Sequence, residues 1–241
     1  MEITSLTNAK VKQWAKYKEK KHRDKDECFL IEGEHLIEEA HHAGLIDCIM
    51  IEQGKTSMYP QYETYEVTKE ILKKLSDSVS GSDIMALCHR NQQPLPTYQK
   101  VVVLDDVQDP GNLGTIIRTA YSFGFDAVLL SNHCVDAYNE KVIRSTQGAI
   151  FHIPVIRGDI MTQLQQLKDQ NITIYATSLH EATSLSNTKI QKPCALVFGN
   201  EGSGVSQEVL SFSDERVYIE METFESLNVA VAAGICMYAF R

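Results

Sequence analysis

The sequence lacks the cysteine spacings, the long apolar runs and the apolar N-terminal segment that mark several classes of protein. Its six cysteines lie far apart, with no Cys-x-x-Cys pair and no Cys/His spacing typical of zinc. We therefore expect buried, reduced thiols, no bound metal and a cytoplasmic location. The longest apolar run, residues 229–240, is too short to cross a bilayer, and residues 1–12 lack the apolar core of a signal peptide, so we expect no membrane partner.

Positive charge is scarce overall but concentrated near the N-terminus. The formal net charge is −9, which argues against strong, indiscriminate binding to nucleic acid. Residues 10–25, however, carry eight basic residues and only two acidic ones. This basic segment is either a solvated helix face or a surface that neutralises phosphates. The residues that would contact phosphates are Lys10, Lys12, Lys16, Lys18, Lys20, Lys21 and Arg23.

A polar stretch with two prolines, residues 89–99, divides the chain, because such composition is typical of linkers. We predict a first domain at 1–92, a linker at 93–99 and a second domain at 100–241. The first domain is predicted to be a small α/β unit. Its predicted helices are 8–22, 34–43 and 69–75, and its predicted strands are 28–32, 48–51 and 84–88.

Strands and helices alternate in the second domain. The run Val101–Leu104 is continuously apolar, as expected of a strand covered on both faces. The alternation predicts a parallel sheet with its ligands beyond the carboxyl ends of the strands. The predicted strands are 101–104, 127–130, 150–155, 173–176, 195–198 and 217–219, and the predicted helices are 115–123, 139–146, 159–168, a short helix after the fifth strand and a terminal helix.

Three loops at that edge carry candidate chemistry: 109–114, 199–206 and 219–228. The second holds three glycines around Glu201, but it has neither the Walker A pattern nor the Rossmann spacing, and by itself it is also compatible with a simple turn. Arg118, on an otherwise apolar helix after the first loop, either meets an anion or extends along the helix edge into solvent. Asn228 is a natural cap for the terminal helix.

The terminal helix, residues 229–240, is apolar all round. A helix of that kind has to be buried on every side. At the end of a chain, a subunit interface is the simplest way to bury it, so we expect a homodimer that packs through this helix.

As an ordered set, the three loops resemble the motifs of a known family. Asn112-x-Gly-x-x-x-Arg118-Thr-Ala, then Leu196-Val-Phe-Gly-Asn-Glu-Gly-Ser-Gly-Val-Ser206, then Glu225-Ser-Leu-Asn-Val-Ala-Val-Ala-Ala-Gly234 resemble the SpoU (TrmH-type) RNA 2′-O-ribose methyltransferases of the SPOUT superfamily. Residues 29–40 resemble the L30e-like substrate-binding domain that precedes many of these enzymes. The resemblance implies an α/β fold in which a parallel-sheet SPOUT domain with a deep trefoil knot follows the small L30e-like α/β domain.

The resemblance also implies S-adenosylmethionine as cofactor, a homodimer and an RNA substrate, with ribosomal RNA favoured by the L30e-like front. Residues at the family's catalytic positions are Asn112, Arg118, Glu201, Ser226 and Asn228. Residues at its cofactor positions are Gly199, Ile219 and Leu227. The chain departs from the family at 220–224, where Glu220 replaces a proline, a glycine is missing and the loop is one residue short.

In this scheme the ribose 2′-oxygen would attack the sulfonium methyl group as the S–CH3 bond breaks and a neutral thioether leaves. Arg118 would stabilise the negative charge that develops on the oxygen, relay the hydroxyl proton and bind a neighbouring phosphate. Asn112, Glu201 and Ser226 hold the ribose and Arg118, and no metal is needed. Residues 98–241 hold ten basic and sixteen acidic residues, so the basic segment 10–25 becomes the expected RNA contact. The alternatives are a transfer-RNA 2′-O-methyltransferase, a non-catalytic RNA-binding or assembly factor, and an enzyme that methylates a protein or small molecule.

Overall fold

The computed structural model describes residues 1–78, 81–91, 97–223 and 226–241. The chain forms two compact units. The first combines Met1–Gln92 with Tyr138–His152, and the second combines Gln93–Ala137 with Ile153–Arg241. Residues 93–96 of the predicted linker lie outside the described residues.

The secondary structure alternates between strands and helices along most of the chain. The strands are β1 (Glu2–Ile3), β2 (Cys28–Glu32), β3 (Ile46–Glu52), β4 (Glu63–Val67), β5 (Ile84–His89), β6 (Lys100–Leu104), β7 (Ala127–Ser131), β8 (Val155–Gly158), β9 (Thr173–Thr177), β10 (Thr183–Ser184), β11 (Cys194–Phe198) and β12 (Glu215–Tyr218). The helices are α1 (Ala9–Lys16), α2 (Lys20–Asp26), α3 (Glu34–His42), α4 (Lys69–Leu75), α5 (Pro110–Ser122), α6 (Glu140–Thr146), α7 (Ile160–Asp169), α8 (Gln207–Phe212) and α9 (Val229–Phe240).

The first unit is built on a mixed five-stranded sheet in the order β1-β4-β3-β5-β2. β4 pairs parallel with β1 and β3, whereas β5 pairs antiparallel with β3 and β2. Val11 and Trp14 of α1 are buried in the core with residues of α4. The single basic helix predicted at 8–22 is wrong, because the chain turns between α1 and α2. β1 and β4 were not predicted, since β4 alternates polar and apolar residues and lacks a continuous apolar run.

Residues 138–152 belong to the first unit although they come late in the chain. The ring of Phe29 lies 4.8 Å from that of Tyr138 and 6.1 Å from that of Phe151. Nε2 of His152 lies 2.8 Å from Oε2 of Glu39. The predicted strand 150–155 is wrong: residues 149–151 form a 3₁₀ turn, and the strand begins at Val155.

The second unit is built on a seven-stranded sheet in the order β10-β12-β9-β11-β6-β7-β8. All six strand pairings are parallel, so the predicted parallel sheet is confirmed. β6 and β11 lie at its centre, and Val101–Leu104 are completely buried, as expected for strands covered on both faces. The short strand β10 at the edge was not predicted.

All six cysteines are buried and none is in a disulfide, as predicted. Within the described ranges, no helix combines the length and the apolar character needed to cross a membrane.

Candidate functional site

The three loops predicted to carry chemistry lie at one edge of the second unit's sheet. They follow β6, β11 and β12, and the carboxyl ends of parallel strands share an edge. β6 and β11 are neighbours, and β9 separates β11 from β12. The loops therefore come together here, although the first and last are more than 100 residues apart in sequence.

The loop after β6 leads directly into α5, which begins at Pro110 and not at the predicted Thr115. Asp109 is the N-cap, because its Oδ1 accepts a 2.8 Å hydrogen bond from the backbone amide of Asn112. Proline is favoured at the first helical position, since its missing N–H is not needed there. Asn112 is therefore inside the first turn, and its side chain is free to reach across the edge of the sheet.

The carboxylate of Glu201, in the loop after β11, accepts several hydrogen bonds from the first loop. Its Oε1 accepts from Nδ2 of Asn112 and from the amide of Asp109, each at 3.0 Å, and its Oε2 accepts from the amide of Gln108 at 3.2 Å. Burial by itself raises the pKa of Glu201, but the donors from Asn112, Asp109 and Gln108 outweigh it, and the pKa is lowered from its ordinary value. Glu201 is thus held as a carboxylate.

Asn228, just before α9, completes this chain of hydrogen bonds. Its Nδ2 donates to Oδ1 of Asn112 at 2.9 Å, and its Oδ1 caps α9 by accepting from the amides of Ala230 and Val231. The structure thereby brings Glu201, Asn112 and Asn228 into one network.

The glycine-rich loop closes on itself. Asn200 and Gly204 exchange two backbone hydrogen bonds of 3.0 Å, and Oδ1 of Asn200 accepts from the amides of Gly202 and Ser203. A Cβ on Gly199 would lie 2.1 Å from the backbone of Gly204 and Val205. Position 199 therefore requires glycine because the chain approaches itself there. From the sequence, this glycine was connected with the cofactor, and the self-contact was not identified.

A cavity of about 380 Å³ opens between the second and third loops. Phe198, Leu210 and Val217 give it apolar walls, while the glycine loop contributes backbone polar groups. The candidate cofactor residues Gly199, Ile219 and Leu227 line it, as does the candidate catalytic residue Ser226. Its volume lies within the ~300–1,000 Å³ range of small-molecule and cofactor sites.

The departure at 220 has a structural counterpart. The carboxylate of Glu220 accepts a hydrogen bond from the hydroxyl of Ser186, and donors from Ser186 and Ser184 lower the pKa of Glu220. Ile219 still lines the cavity, so the substitution leaves this loop beside it. Phe224 and Glu225 lie outside the described residues.

Arg118 does not join the network. Its side chain is exposed on α5, and its guanidinium makes no hydrogen bond or ion pair with the residues that the structure describes. It follows Asn112 by six residues, which places it about 9 Å further along the helix axis. Glu201 and Asn112 therefore hold each other in place and do not hold Arg118 in the single chain.

The terminal helix α9 buries one face and exposes another. Ala230, Ala233, Cys236, Met237 and Phe240 are buried. An opposite apolar row at i, i+4 and i+7 is exposed and consists of Val231, Ile235 and Tyr238. The expectation that the helix is buried on every side is not met within one chain.

The members of the basic segment differ in their surroundings. Arg23 is buried, and its Nη1 donates to the carbonyls of Tyr17 and Lys18 at 2.6 and 2.7 Å, so it has a structural role and leaves the RNA-binding set. Four exposed lysines have partners: Lys10 bonds Tyr65, Lys18 pairs with Asp77, Lys20 with Asp24 and Lys21 with Glu19. Lys12 and Lys16 are exposed and form no ion pair with the described residues.

Several site residues were not identified from the sequence. Gln108 and Asp109 contribute the amides that bind Glu201, and Asp105 accepts from the amide of Ser206 at 2.9 Å before α8. Nδ2 of Asn200 binds the carbonyl of Asp106 at 2.9 Å. In the sequence, the signal for these site residues was that Asp105 and Asp106 directly follow the apolar strand β6.

The chain is similar to known proteins along its whole length. A model of the SpoU rRNA Methylase family matches residues 99–238, and a model of the MRM3-like substrate binding domain matches residues 8–86. The chain is 40% identical to the 23S rRNA (guanosine(2553)-2′-O)-methyltransferase RlmP of Bacillus subtilis, covering 100% of this chain and 99% of that protein.

Two solved structures are similar over the same extent. An RNA 2′-O ribose methyltransferase has 31% identity and a TM-score of 0.81, covering 100% of this chain and 98% of that one. An AdoMet-bound rRNA methyltransferase from Sinorhizobium meliloti has 28% identity and a TM-score of 0.89, covering 100% of this chain and 97% of that one.

Proposed function

Because the chain belongs to the SpoU rRNA methylase family, we propose that it transfers a methyl group from S-adenosylmethionine to a ribose 2′-hydroxyl of 23S ribosomal RNA. The observation that carries this proposal is the Glu201–Asn112–Asn228 network, formed by residues at the family's catalytic positions beside the cavity. The RlmP relative supports the choice of RNA, because the similarity extends over both units.

The cavity fits the cofactor. Its apolar walls suit the adenine ring and the methylene groups, and the backbone groups of residues 199–204 suit its polar atoms. Gly199, Ile219 and Leu227 would hold S-adenosylmethionine there, and Ser226 borders the same space. When bound, the cofactor supplies an electrophilic methyl group on a positively charged sulfur.

The residues of the chain then have to position the ribose and stabilise the negative charge that develops on its 2′-oxygen. The 2′-hydroxyl is a very weak acid, so negative charge on its oxygen needs a stabilising partner. The guanidinium of Arg118 is exposed and has no hydrogen-bond or ion-pair partner among the described residues. An arginine stays protonated in proteins, so Arg118 is suited to bind this oxygen and an adjacent phosphate. Asn112 and Glu201 hold each other rigidly at the edge where the ribose would enter.

We propose that two chains associate through α9. The exposed row of Val231, Ile235 and Tyr238 is apolar and continuous along the helix. Burying this row against a second copy removes it from water, which is the dominant favourable term in protein association. Arg118 lies on α5, the helix that packs against α9.

The RNA contact of the first unit is proposed to centre on Lys12 and Lys16. These side chains are exposed and lack ion pairs with the described residues. A phosphate that binds them therefore does not have to displace a carboxylate of those residues. Lys10, Lys18, Lys20 and Lys21 have partners within the chain and are proposed as secondary contacts. Six buried, unbridged cysteines are in keeping with the proposed cytoplasmic location.

The test is methyl transfer from radiolabelled S-adenosylmethionine to purified RNA, followed by mapping of 2′-O-methyl sites. We expect incorporation into unmodified 23S rRNA and none into 16S rRNA or transfer RNA. Arg118→Ala should abolish incorporation while calorimetry shows nearly unchanged cofactor affinity. Incorporation into transfer RNA alone would contradict the proposed substrate, and RNA binding without cofactor binding would indicate a non-catalytic assembly factor.

A further inference from the structure

One arginine in the second unit binds a complete loop. Arg157, in β8, donates from Nη1 to the carbonyls of Ser131, Asn132 and Cys134 at 2.9, 3.0 and 2.8 Å. Its Nη2 donates to the carbonyl of Val135 at 2.6 Å. Four of the five carbonyls in residues 131–135 thus converge on a single guanidinium.

This clamped loop, residues 131–135, is attached to the loop that precedes α5. The amide of Val135 donates to the carbonyl of Val107 at 2.9 Å, and the amide of Asp106 donates to Oγ of Ser131 at 3.0 Å. Asp106 has a positive φ of 65°, in the left-handed region that residues other than glycine adopt infrequently. The clamped loop is therefore one of the supports that fix the shape of residues 105–109, together with the bond from Asn200 to the carbonyl of Asp106.

Gln108 connects the clamped loop to the network of Glu201, Asn112 and Asn228. Its Nε2 donates to the carbonyl of His133 at 2.5 Å and to the carboxylate of Asp106. Its backbone amide donates to Oε2 of Glu201 at 3.2 Å. The same residue thus links the clamped loop to the carboxylate that binds Asn112.

Only arginine can make these contacts from position 157. Its planar guanidinium has five N–H donors in a fixed fork, whereas lysine presents three donors at one point and glutamine presents two. Without the guanidinium, four carbonyls that now lie close together would repel one another and lose their donor.

We propose that Arg157 is a positioning residue for methyl transfer: it holds residues 131–135 in shape, and thereby fixes Gln108 and the carboxylate of Glu201. This inference rests on the function proposed above. Arg157 itself contacts neither the cavity lining nor the network of Glu201, Asn112 and Asn228 among the described residues.

The first readout is kinetic. Arg157→Gln should lower kcat by about tenfold, because a small displacement of site groups is costly to rate, while the dissociation constant for S-adenosylmethionine stays within twofold. The kcat of Arg157→Lys should lie between those of the wild-type protein and Arg157→Gln. Lys168→Gln is the matched control: it removes a half-buried cation of the same unit, paired with Asp214 at 3.0 Å, and should leave kcat unchanged.

A double-mutant cycle distinguishes positioning from general destabilisation. Gln108→Ala removes the side-chain link to His133 and keeps the backbone amide that binds Glu201. If Arg157 acts through Gln108, Arg157→Gln should lower kcat by less than twofold in the Gln108→Ala background. Multiplicative effects of the two substitutions would overturn the proposal.

The second readout needs no catalysis. In hydrogen exchange of the protein alone, Arg157→Gln should accelerate exchange of the amides in residues 105–113, and Lys168→Gln should not. Unchanged exchange there would overturn the coupling. If the wild-type protein methylates no RNA, the proposed function fails, and the exchange experiment still decides whether Arg157 controls the shape of the site.

Discussion

Nδ2 of Asn228 donates a 2.9 Å hydrogen bond to Oδ1 of Asn112, which lies 116 residues earlier in the chain. Both amides are oriented by their other partners: Asn112 must donate to Glu201, and Asn228 must accept from the start of α9. Neither amide can flip without losing one of these bonds. The start of α9 is thereby tied to the start of α5.

Two substitutions at Asn228 separate its capping role from its site role. Asn228→Asp keeps an oxygen for the amides of Ala230 and Val231 but places a carboxylate against Oδ1 of Asn112, so the melting temperature should hold while kcat falls at least tenfold. Asn228→Ala should also lower the unfolding free energy by about 1 kcal/mol. Thermal melts and single-turnover rates measure the two effects. Equal rates for Asn228→Asp and wild type would show that the bond to Asn112 is dispensable.

A second prediction concerns the self-contact of the glycine-rich loop. Gly199→Ala places a Cβ 2.1 Å from the backbone of Gly204 and Val205, so the unfolding free energy should fall by at least about 3 kcal/mol and the cofactor should bind weakly. Gly202→Ala is the control for stability alone, because its Cβ would meet only Oδ1 of Asn200 at an ordinary 3.5 Å. Denaturant melts and calorimetry test both. A stable Gly199→Ala protein would contradict the close approach.

The lowered pKa of Glu201 predicts a direction for the effect of acid. A carboxyl whose folded pKa is depressed contributes its stabilisation above its unfolded pKa, about 4.3, and loses it as the pH falls through the lower folded value. The network should therefore remain intact at neutral pH and down to the ordinary range of a glutamate. An NMR titration of the Glu201 carboxyl carbon and of the Asn112 amide should give midpoints below the ordinary pKa of a glutamate. A midpoint above that value would mean that burial outweighs the donors.

The exposed row on α9 predicts the oligomeric state. Ile235→Asp places a charge in the centre of the row, and we expect it to convert a dimer into a monomer in light-scattering measurements. Met58→Asp, at an apolar residue of the first unit that is more exposed than Ile235 (71% against 40%), should leave the dimer intact. A wild-type protein that is monomeric at micromolar concentration would rule out this interface.

The final prediction tests the proposed RNA surface. Lys12→Glu with Lys16→Glu should weaken RNA binding and reduce the slope of log affinity against log salt by about 1 for each lost phosphate contact. Lys189→Glu makes the same kind of change on an exposed lysine of the second unit and should have little effect. Filter binding over a range of salt concentrations measures both. An unchanged slope would identify the basic segment as a solvated surface only.

Much of the second unit could be predicted because its signals are local. The apolar runs of β6 and β11 identify buried strands, and their alternation with helices identifies a parallel sheet whose carboxyl edge carries the site. The start of α5 was misplaced because Asn112 and Asp109 are both acceptable caps, and only the side-chain contacts show that Asn112 is used elsewhere. β4 was missed because only alternate residues in it are buried.

Other features depend on contacts between distant residues and have no local signal. The bond from Asn112 to Glu201 spans 89 residues. Arg23 is buried because its guanidinium binds carbonyls in the turn between α1 and α2, which the density of charge in the sequence does not indicate. The trefoil knot implied by the family resemblance stays a prediction, since strand order does not specify how a chain is threaded. Ribosomal RNA was expected from the family resemblance, whereas the proposal of 23S rRNA rests on the comparison with relatives.

The discontinuous first unit sets a limit on how this protein can be dissected. A single cut near residue 92 sends Tyr138 and Phe151 away with the second half, while their ring partner Phe29 stays with the first. Each fragment would then expose apolar surface that the intact chain buries. The boundary between the units crosses the chain three times. Genetic fusions and domain exchanges with relatives should therefore keep residues 138–152 with the first unit.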